Sequence, residues 1–211
     1  MTLPEYGKHI VLLGSTGSGK TWLAEQMLRR YESYLVLDTQ DSLILPGVTK
    51  KTPHYMDWYQ RIFKRVLYRP KPEWFFKDAF NSVFKDFLES SKKKKPHPRI
   101  CYIDEIYHVG YGTSFPTWLP RGLTTARQKK LSFFIATQRP RMIPGPVITE
   151  AAKVYVFYLS KFDDIKYIAG FSRSDPKKLQ AALQEQSDDY SFIEIDNRKG
   201  TWVKFPKLRS G

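Results

Sequence analysis

The sequence predicts an α/β fold: a mainly parallel central sheet flanked by helices, with a hairpin at the carboxy-terminal end. Three observations predict it. Short apolar runs without strict alternation recur along the chain, as strands buried on both faces require. Segments with helical spacing or helix-start residues alternate with them. A glycine-rich stretch, Gly14 to Thr21, joins the first apolar run directly to the first helical segment.

Each element follows in order. His9 to Leu13 reads as a buried strand, and Lys20 to Tyr31 as the helix after the glycine-rich turn. Tyr34 to Asp38 is a second strand that ends on an acid. Residues 39 to 55 contain Pro and Gly and read as loop. Met56 to Lys64 has helical character, and Arg65 to Tyr68 reads as a strand stopped by Pro70. Pro72 to Ser90 is the clearest amphipathic helix, with Pro72 near its start and Trp74, Phe75, Phe80, Phe84, Phe87 and Leu88 along its apolar stripe. Arg99 to Asp104 is a strand. A loop with Gly110 and Gly112 leads into a helix running through Thr125 and Arg127, and Leu131 to Thr137 is the next strand. Val154 to Leu159 follows as a strand, then helices at Asp163 to Ala169 and Pro176 to Gln184. Ser191 to Ile195 and Thr201 to Phe205 flank a turn and form the closing hairpin.

Composition bounds the function classes. The chain of 211 residues is 41% hydrophobic and 27% charged, which suits a single globular domain over residues 1–211. The 35 Lys and Arg against 21 Asp and Glu give a net charge of +14, the footprint of a polyanionic partner. The one cysteine, Cys101, excludes a disulfide framework within the chain and fits a reducing compartment. The first residues lack the charged start and apolar stretch of a secretory signal. No apolar run approaches the roughly 20 residues of a membrane span. The expected location is the cytosol or the interior of a particle.

Gly14-Ser15-Thr16-Gly17-Ser18-Gly19-Lys20-Thr21 matches G-x-x-x-x-G-K-[ST] in the context the chemistry needs, after a strand and opening a helix. Backbone N–H groups of such a loop wrap phosphates, and the helix N-terminus adds partial positive charge. Lys20 is placed to reach the β- and γ-phosphates of ATP, and the Thr21 hydroxyl to ligate Mg²⁺. A kinase or a switch GTPase carries the same loop. The strand Ile100-Cys101-Tyr102-Ile103-Asp104-Glu105 argues against both, because it ends in two adjacent acids. Asp104 suits the Mg²⁺ shell, and Glu105 the general base that activates water. Gln138, following Thr137 at a strand end, carries an amide able to bond the γ-phosphate or the attacking water.

Asp104-Glu105, the helix ending near Thr125-Ala126-Arg127, and Phe134-Ile135-Ala136-Thr137-Gln138-Arg139-Pro140 together resemble the FtsK/HerA superfamily of DNA-pumping ATPases. Leu35-Val36-Leu37-Asp38 resembles the second strand of that family. The resemblance spans most of residues 8 to 160, and the short length is most similar to the genome-packaging ATPases of tailless icosahedral double-stranded DNA viruses. It implies a RecA-like P-loop NTPase of the type with an additional strand and a catalytic Glu, in which the strand ending at Gln138 lies beside the phosphate-loop strand. It implies a homo-oligomeric ring, a hexamer among the options, that threads DNA into a capsid through a vertex or portal-like protein, in the virion or host cytoplasm. It also implies that Arg127, eleven residues before Gln138, is an arginine finger serving the neighbouring subunit. Arg121, Arg139 and Arg141 compete for that role.

The DNA side is less defined. Lys92, Lys93, Lys94 and Lys95 form the densest basic run, with Lys129-Lys130, Lys177-Lys178 and Lys207/Arg209 as alternatives. No base-reading module is visible, so double-stranded DNA is expected to bind without regard to sequence. Four scattered histidines and one cysteine point to no metal other than nucleotide-bound Mg²⁺. Three other readings remain open: a helicase or a pilus- or phage-assembly ATPase, a small-molecule kinase, and a non-catalytic nucleotide-gated scaffold.

Overall fold

The structure is a computed structural model that describes residues 4–48, 50–52, 64–70, 77–92, 99–110, 114–185 and 190–206. Nine strands lie among them: β1 (His9–Leu13), β2 (Tyr34–Asp38), β3 (Lys50–Thr52), β4 (Arg65–Tyr68), β5 (Ile100–Asp104), β6 (Ser132–Thr137), β7 (Ala151–Val156), β8 (Phe192–Asp196) and β9 (Thr201–Phe205). They form one sheet in the order β3-β4-β2-β5-β6-β1-β7-β8-β9. The strands from β3 across to β7 are parallel. β8 and β9 add the antiparallel hairpin on β7. The helices are α1 (Lys20–Leu28), α2 (Lys77–Ser90), α3 (Trp118–Thr125), α4 (Gly145–Thr149), α5 (Phe162–Ser172) and α6 (Pro176–Gln184).

The apolar runs produce two cores because side chains alternate between sheet faces. Val11, Leu13, Leu35, Leu37, Cys101, Ile103, Phe133 and Ile135 pack with the apolar stripes of α2, α3 and α5. Ile10, Leu12, Val36, Tyr102, Phe134 and Ala136 pack on Leu23, Ala24 and Met27 of α1. Both faces of the parallel strands are thus covered, which is why these strands read as unbroken apolar runs. Asp175 caps α6 by accepting from the N–H groups of Lys177 and Lys178 at 2.8 and 3.0 Å, next to a Pro at the first helical position.

The departures from the sequence reading have local causes. Lys50–Thr52 falls in the stretch read as loop, yet pairs with β4. This short polar strand, at the edge of the described sheet, carries no apolar run to read. β7 starts at Ala151 and ends at Val156, earlier than read. Its polar Lys153 forms an ion pair with Glu194 of β8. α1 stops at Leu28, and Arg127 lies in a 3₁₀ turn, Ala126–Lys129, that follows α3. The helix read at Met56 to Lys64, apart from Lys64 itself, and the start of the one read from Pro72 lie outside the described residues, as do Lys93, Lys94, Lys95, Lys207 and Arg209.

Candidate active site

Parallel strands send all their carboxyl ends to one edge of the sheet, and the site gathers there. β1 ends at Leu13, and the chain turns through Gly14 to Gly19 into α1. A Cβ on Gly14 would come within 2.7 Å of Phe157 Cβ and 2.6 Å of Ser18 Oγ, so only glycine allows this close passage. Gly19, the N-cap of α1, has φ +105°, a left-handed backbone that other residues resist. The loop is tied to the segment just past β7 and to the end of β6 by Ser15 N–H donating to the Tyr158 carbonyl at 2.9 Å and Gly14 N–H to that of Thr137 at 3.3 Å. Lys20 is buried, and its Nζ donates to the Gly14 and Ser15 carbonyls at 2.8 and 2.9 Å. Burial lowers the pKa of Lys20, and the negative charges of Glu105 and Asp104 act in the opposite direction. Lys20 thus lies within electrostatic reach of Asp104, the last residue of β5, and of Glu105, which follows it.

β6 lies between β5 and β1, with Thr137 opposite Leu13 and Ile135 opposite Ile103. Its end connects the acids to the loop. The Thr137 hydroxyl donates to Glu105 Oε1 at 2.7 Å, and Gln138 N–H donates to Oε2 at 2.9 Å. The Gln138 side-chain oxygen accepts from the Thr16 hydroxyl at 2.6 Å. A continuous chain of hydrogen bonds therefore runs from the glycine-rich loop through Gln138 to Glu105. Glu105 itself is 6% exposed and adopts φ +57°, unusual for a residue with a side chain.

Asp104 sits in a second network. Its Oδ1 accepts from Tyr102 at 2.9 Å and its Oδ2 from Ser42 at 3.0 Å. Burial raises the Asp104 pKa, the two hydrogen bonds oppose that, and the charges of Asp38 and Glu105 reinforce it. Asp38 lies directly across the β2–β5 pair from Asp104. It accepts from the N–H of Ser42 at 3.0 Å and pairs with Arg69 Nε at 2.9 Å. Thr39 donates to the Asp104 carbonyl at 2.7 Å and meets His108 Nδ1 at 3.1 Å. Sequence reasoning missed Ser42, Arg69, Thr39 and Tyr102. Tyr102 had a signal, since it lies two residues before Asp104 on the same strand face. The loop residues had none.

The donors present fit nucleotide-bound Mg²⁺: a carboxylate, a hydroxyl and phosphate oxygens are the hard ligands that this ion takes. Asp104 uses one acceptor direction on each oxygen and keeps others. Thr21 follows Lys20 in the first turn of α1. No group of three or more His, Cys, Asp or Glu that could hold a metal occurs among the described residues. The other candidates lie apart from the loop. Arg127 is exposed in the turn preceding β6, at the amino ends of the strands. The length of β1 separates it from the phosphate loop, roughly 15 Å at the usual strand rise. Lys92 is exposed just past α2. Of the competing arginines, Arg139 follows Gln138 at the loop edge with its guanidinium 5.1 Å from the Tyr107 ring centre. Arg141 pairs with Asp163, and Arg121 stacks on Trp118.

No family model matches the sequence, and no curated protein does. Solved structures do. The genome packaging NTPase B204 from Sulfolobus turreted icosahedral virus 2, in complex with sulfate, superposes with a TM-score of 0.76 at 19% identity, over 100% of both chains. The same NTPase in complex with AMPPCP gives 0.74 at 18% identity, over 96% of this chain and 98% of that one. EssC (ATPases 2 and 3) from Geobacillus thermodenitrificans gives 0.65 at 14% identity, over 96% of this chain and 40% of that one. At these identities the likeness is one of fold, and the fold is that of the P-loop NTPases in the arrangement common to B204 and EssC.

Proposed function

We propose that this chain is an ATP hydrolase that drives double-stranded DNA into a viral capsid. The observation that carries the reading is the hydrogen-bonded chain Thr16–Gln138–Glu105, which joins a phosphate-binding loop, across the end of β6, to a buried carboxylate just past β5. Such a link suits a site that fires according to what the loop holds. Lys20 exchanges its two carbonyl partners for β- and γ-phosphate oxygens, and the N-terminus of α1 faces the same charge. Glu105 takes a proton from the attacking water, while the Gln138 amide orients that water against the γ-phosphate. Mg²⁺, held by Thr21 and Asp104, would supply Lewis-acid stabilisation of charge on the phosphates.

The net charge of +14 supports a polyanion as the substrate that is moved. Binding is electrostatic and blind to sequence, with Lys92 to Lys95 among the contacts. The likeness to B204, a genome packaging NTPase, supports packaging over unwinding. On this reading the chain works in the virion or host cytoplasm as a homo-oligomeric ring, such as a hexamer, at a capsid vertex. Arg127 reaches the ATP of the next subunit. No helix among the described residues is long and apolar enough to cross a membrane. The test is a pair of variants. Lys20→Ala loses ATP binding in calorimetry, whereas Glu105→Gln binds ATP and turns over at least about 100-fold more slowly, the usual size of a general-base contribution. Undiminished turnover by Glu105→Gln would assign the base elsewhere.

A further inference from the structure

On the proposed reading, the hydrogen-bonded chain through Gln138 marks the γ-phosphate end of the bound nucleotide. β1 has β6 on one side and β7 on the other. On the proposed reading of Gly14 to Thr21 as the phosphate loop, the γ-phosphate lies toward β6, where Gln138 and Glu105 converge. A triphosphate drawn across the loop then carries its nucleoside toward β7 and β8.

Among the described residues, that side offers a large exposed ring next to the loop. β8 runs antiparallel to β7, so its first residues return to the edge where the phosphate loop sits. Tyr190 lies two residues ahead of Phe192, at the entrance to β8, and is 52% exposed. A Cβ built on Gly19 would lie 3.4 Å from Tyr190 Cδ1 and 3.5 Å from Tyr190 Cβ, so the ring stands against the loop backbone one residue before Lys20. Phe157 also lies against Gly19, 3.3 Å from the same Cβ position, and is itself buried, with its ring 5.3 Å from that of Phe192. Tyr190 is thus an exposed ring beside a packed aromatic floor. Its φ of +56° is a left-handed backbone that a bulky side chain adopts only where the surroundings hold it.

We infer that Tyr190 is the platform on which the nucleobase of the bound triphosphate stacks. An aromatic face accepts any base, because every base offers a π surface, so the platform adds affinity without choosing among bases. Purine and pyrimidine nucleoside triphosphates alike are its ligands.

The experiment compares ATP, CTP and inorganic tripolyphosphate by calorimetry, with Mg²⁺ present, on the full chain and on Tyr190→Ala and Tyr190→Phe. Tripolyphosphate occupies the phosphate loop but has no base. Tyr190→Ala is expected to weaken ATP and CTP on the order of tenfold, the usual loss when a stacking ring is removed, and to leave tripolyphosphate unchanged. Tyr190→Phe keeps both nucleotides near the unsubstituted affinity. Unchanged ATP binding by Tyr190→Ala overturns the inference, and so does an equal loss of tripolyphosphate, which would make the ring a prop for the loop. An unsubstituted chain that binds tripolyphosphate no better than a Lys20→Ala variant would instead overturn the phosphate-loop reading on which the inference rests.

Discussion

Glu105 occupies a strained backbone, and its carboxylate accepts one hydrogen bond on each oxygen, both from the end of β6. Strain of this kind persists where neighbours enforce it, and such positions cluster at functional sites. The Thr137 hydroxyl is the side-chain half of that restraint, so on this account Thr137 positions the base. Thr137→Val removes the donor and conserves volume. It is expected to lower kcat by about tenfold, the scale of one hydrogen bond to a charged group, with the KM for ATP unchanged. Thr137→Ser restores kcat. Steady-state kinetics on the three proteins make the check, and full kcat in Thr137→Val would show that Glu105 needs no such support. At this scale the sequence is legible where chemistry demands fixed offsets, as from Gly14 to Thr21, and where two acids end an apolar strand. It is silent on Ser42 and Arg69, because their role depends on loops that fold back over β2 and β5.

Insertion of β6 between β5 and β1 is the element-level event that makes the site, and His9 helps to hold it. The ring Nδ1 accepts from the N–H of Phe133 in β6 at 2.9 Å, and Nε2 bonds the Leu123 carbonyl of α3 at 2.9 Å. Both bonds are satisfied by one neutral tautomer, with Nε2 as the donor. Burial is the main cause that holds the His9 pKa at about 4, below its ordinary 6.5, and the nearby Arg127 charge adds to it. A histidine with a depressed pKa in the fold stabilises fully above its unfolded value, and that contribution is lost as pH falls. The window therefore opens near pH 6.5 and extends down to about 4. The shift corresponds to about 3 kcal/mol when complete. Urea unfolding is expected to show stability falling across this window, and an NMR titration to show one imidazole with a midpoint near 4. A full set of histidines titrating near the ordinary value would contradict the assignment. Elements with both faces buried were legible as apolar runs. β3 was hidden by its polar edge position, and α4 by its brevity and its Gly-Pro start.

At the scale of the whole molecule, the placement of Arg127 at the amino ends of the strands sets it apart from its own phosphate loop. A guanidinium there serves catalysis only if another subunit brings its ATP to it, as the proposed ring would allow. Arg127→Ala and Glu105→Gln should each be inactive alone. When they are mixed, some interfaces pair an intact Arg127 with an intact Glu105, so turnover should partly return. Failure to recover activity in rings that do co-assemble, or full turnover by Arg127→Ala alone, would remove the role in trans. The fold class and the order of the site motifs were legible at this scale from alternating strands and helices. The assembly was not, since charge and periodicity within one chain do not say where a second copy sits.

The central claim is that ATP hydrolysis here performs work on DNA. Its most direct test is ATP turnover by the full chain with and without double-stranded DNA, over a salt series and with DNAs of unrelated sequence. DNA is expected to raise turnover, equally for every sequence, and the stimulation to fade steeply with salt as counterion release weakens binding. Turnover that ignores DNA at low salt, in a protein that binds and hydrolyses ATP, would contradict it.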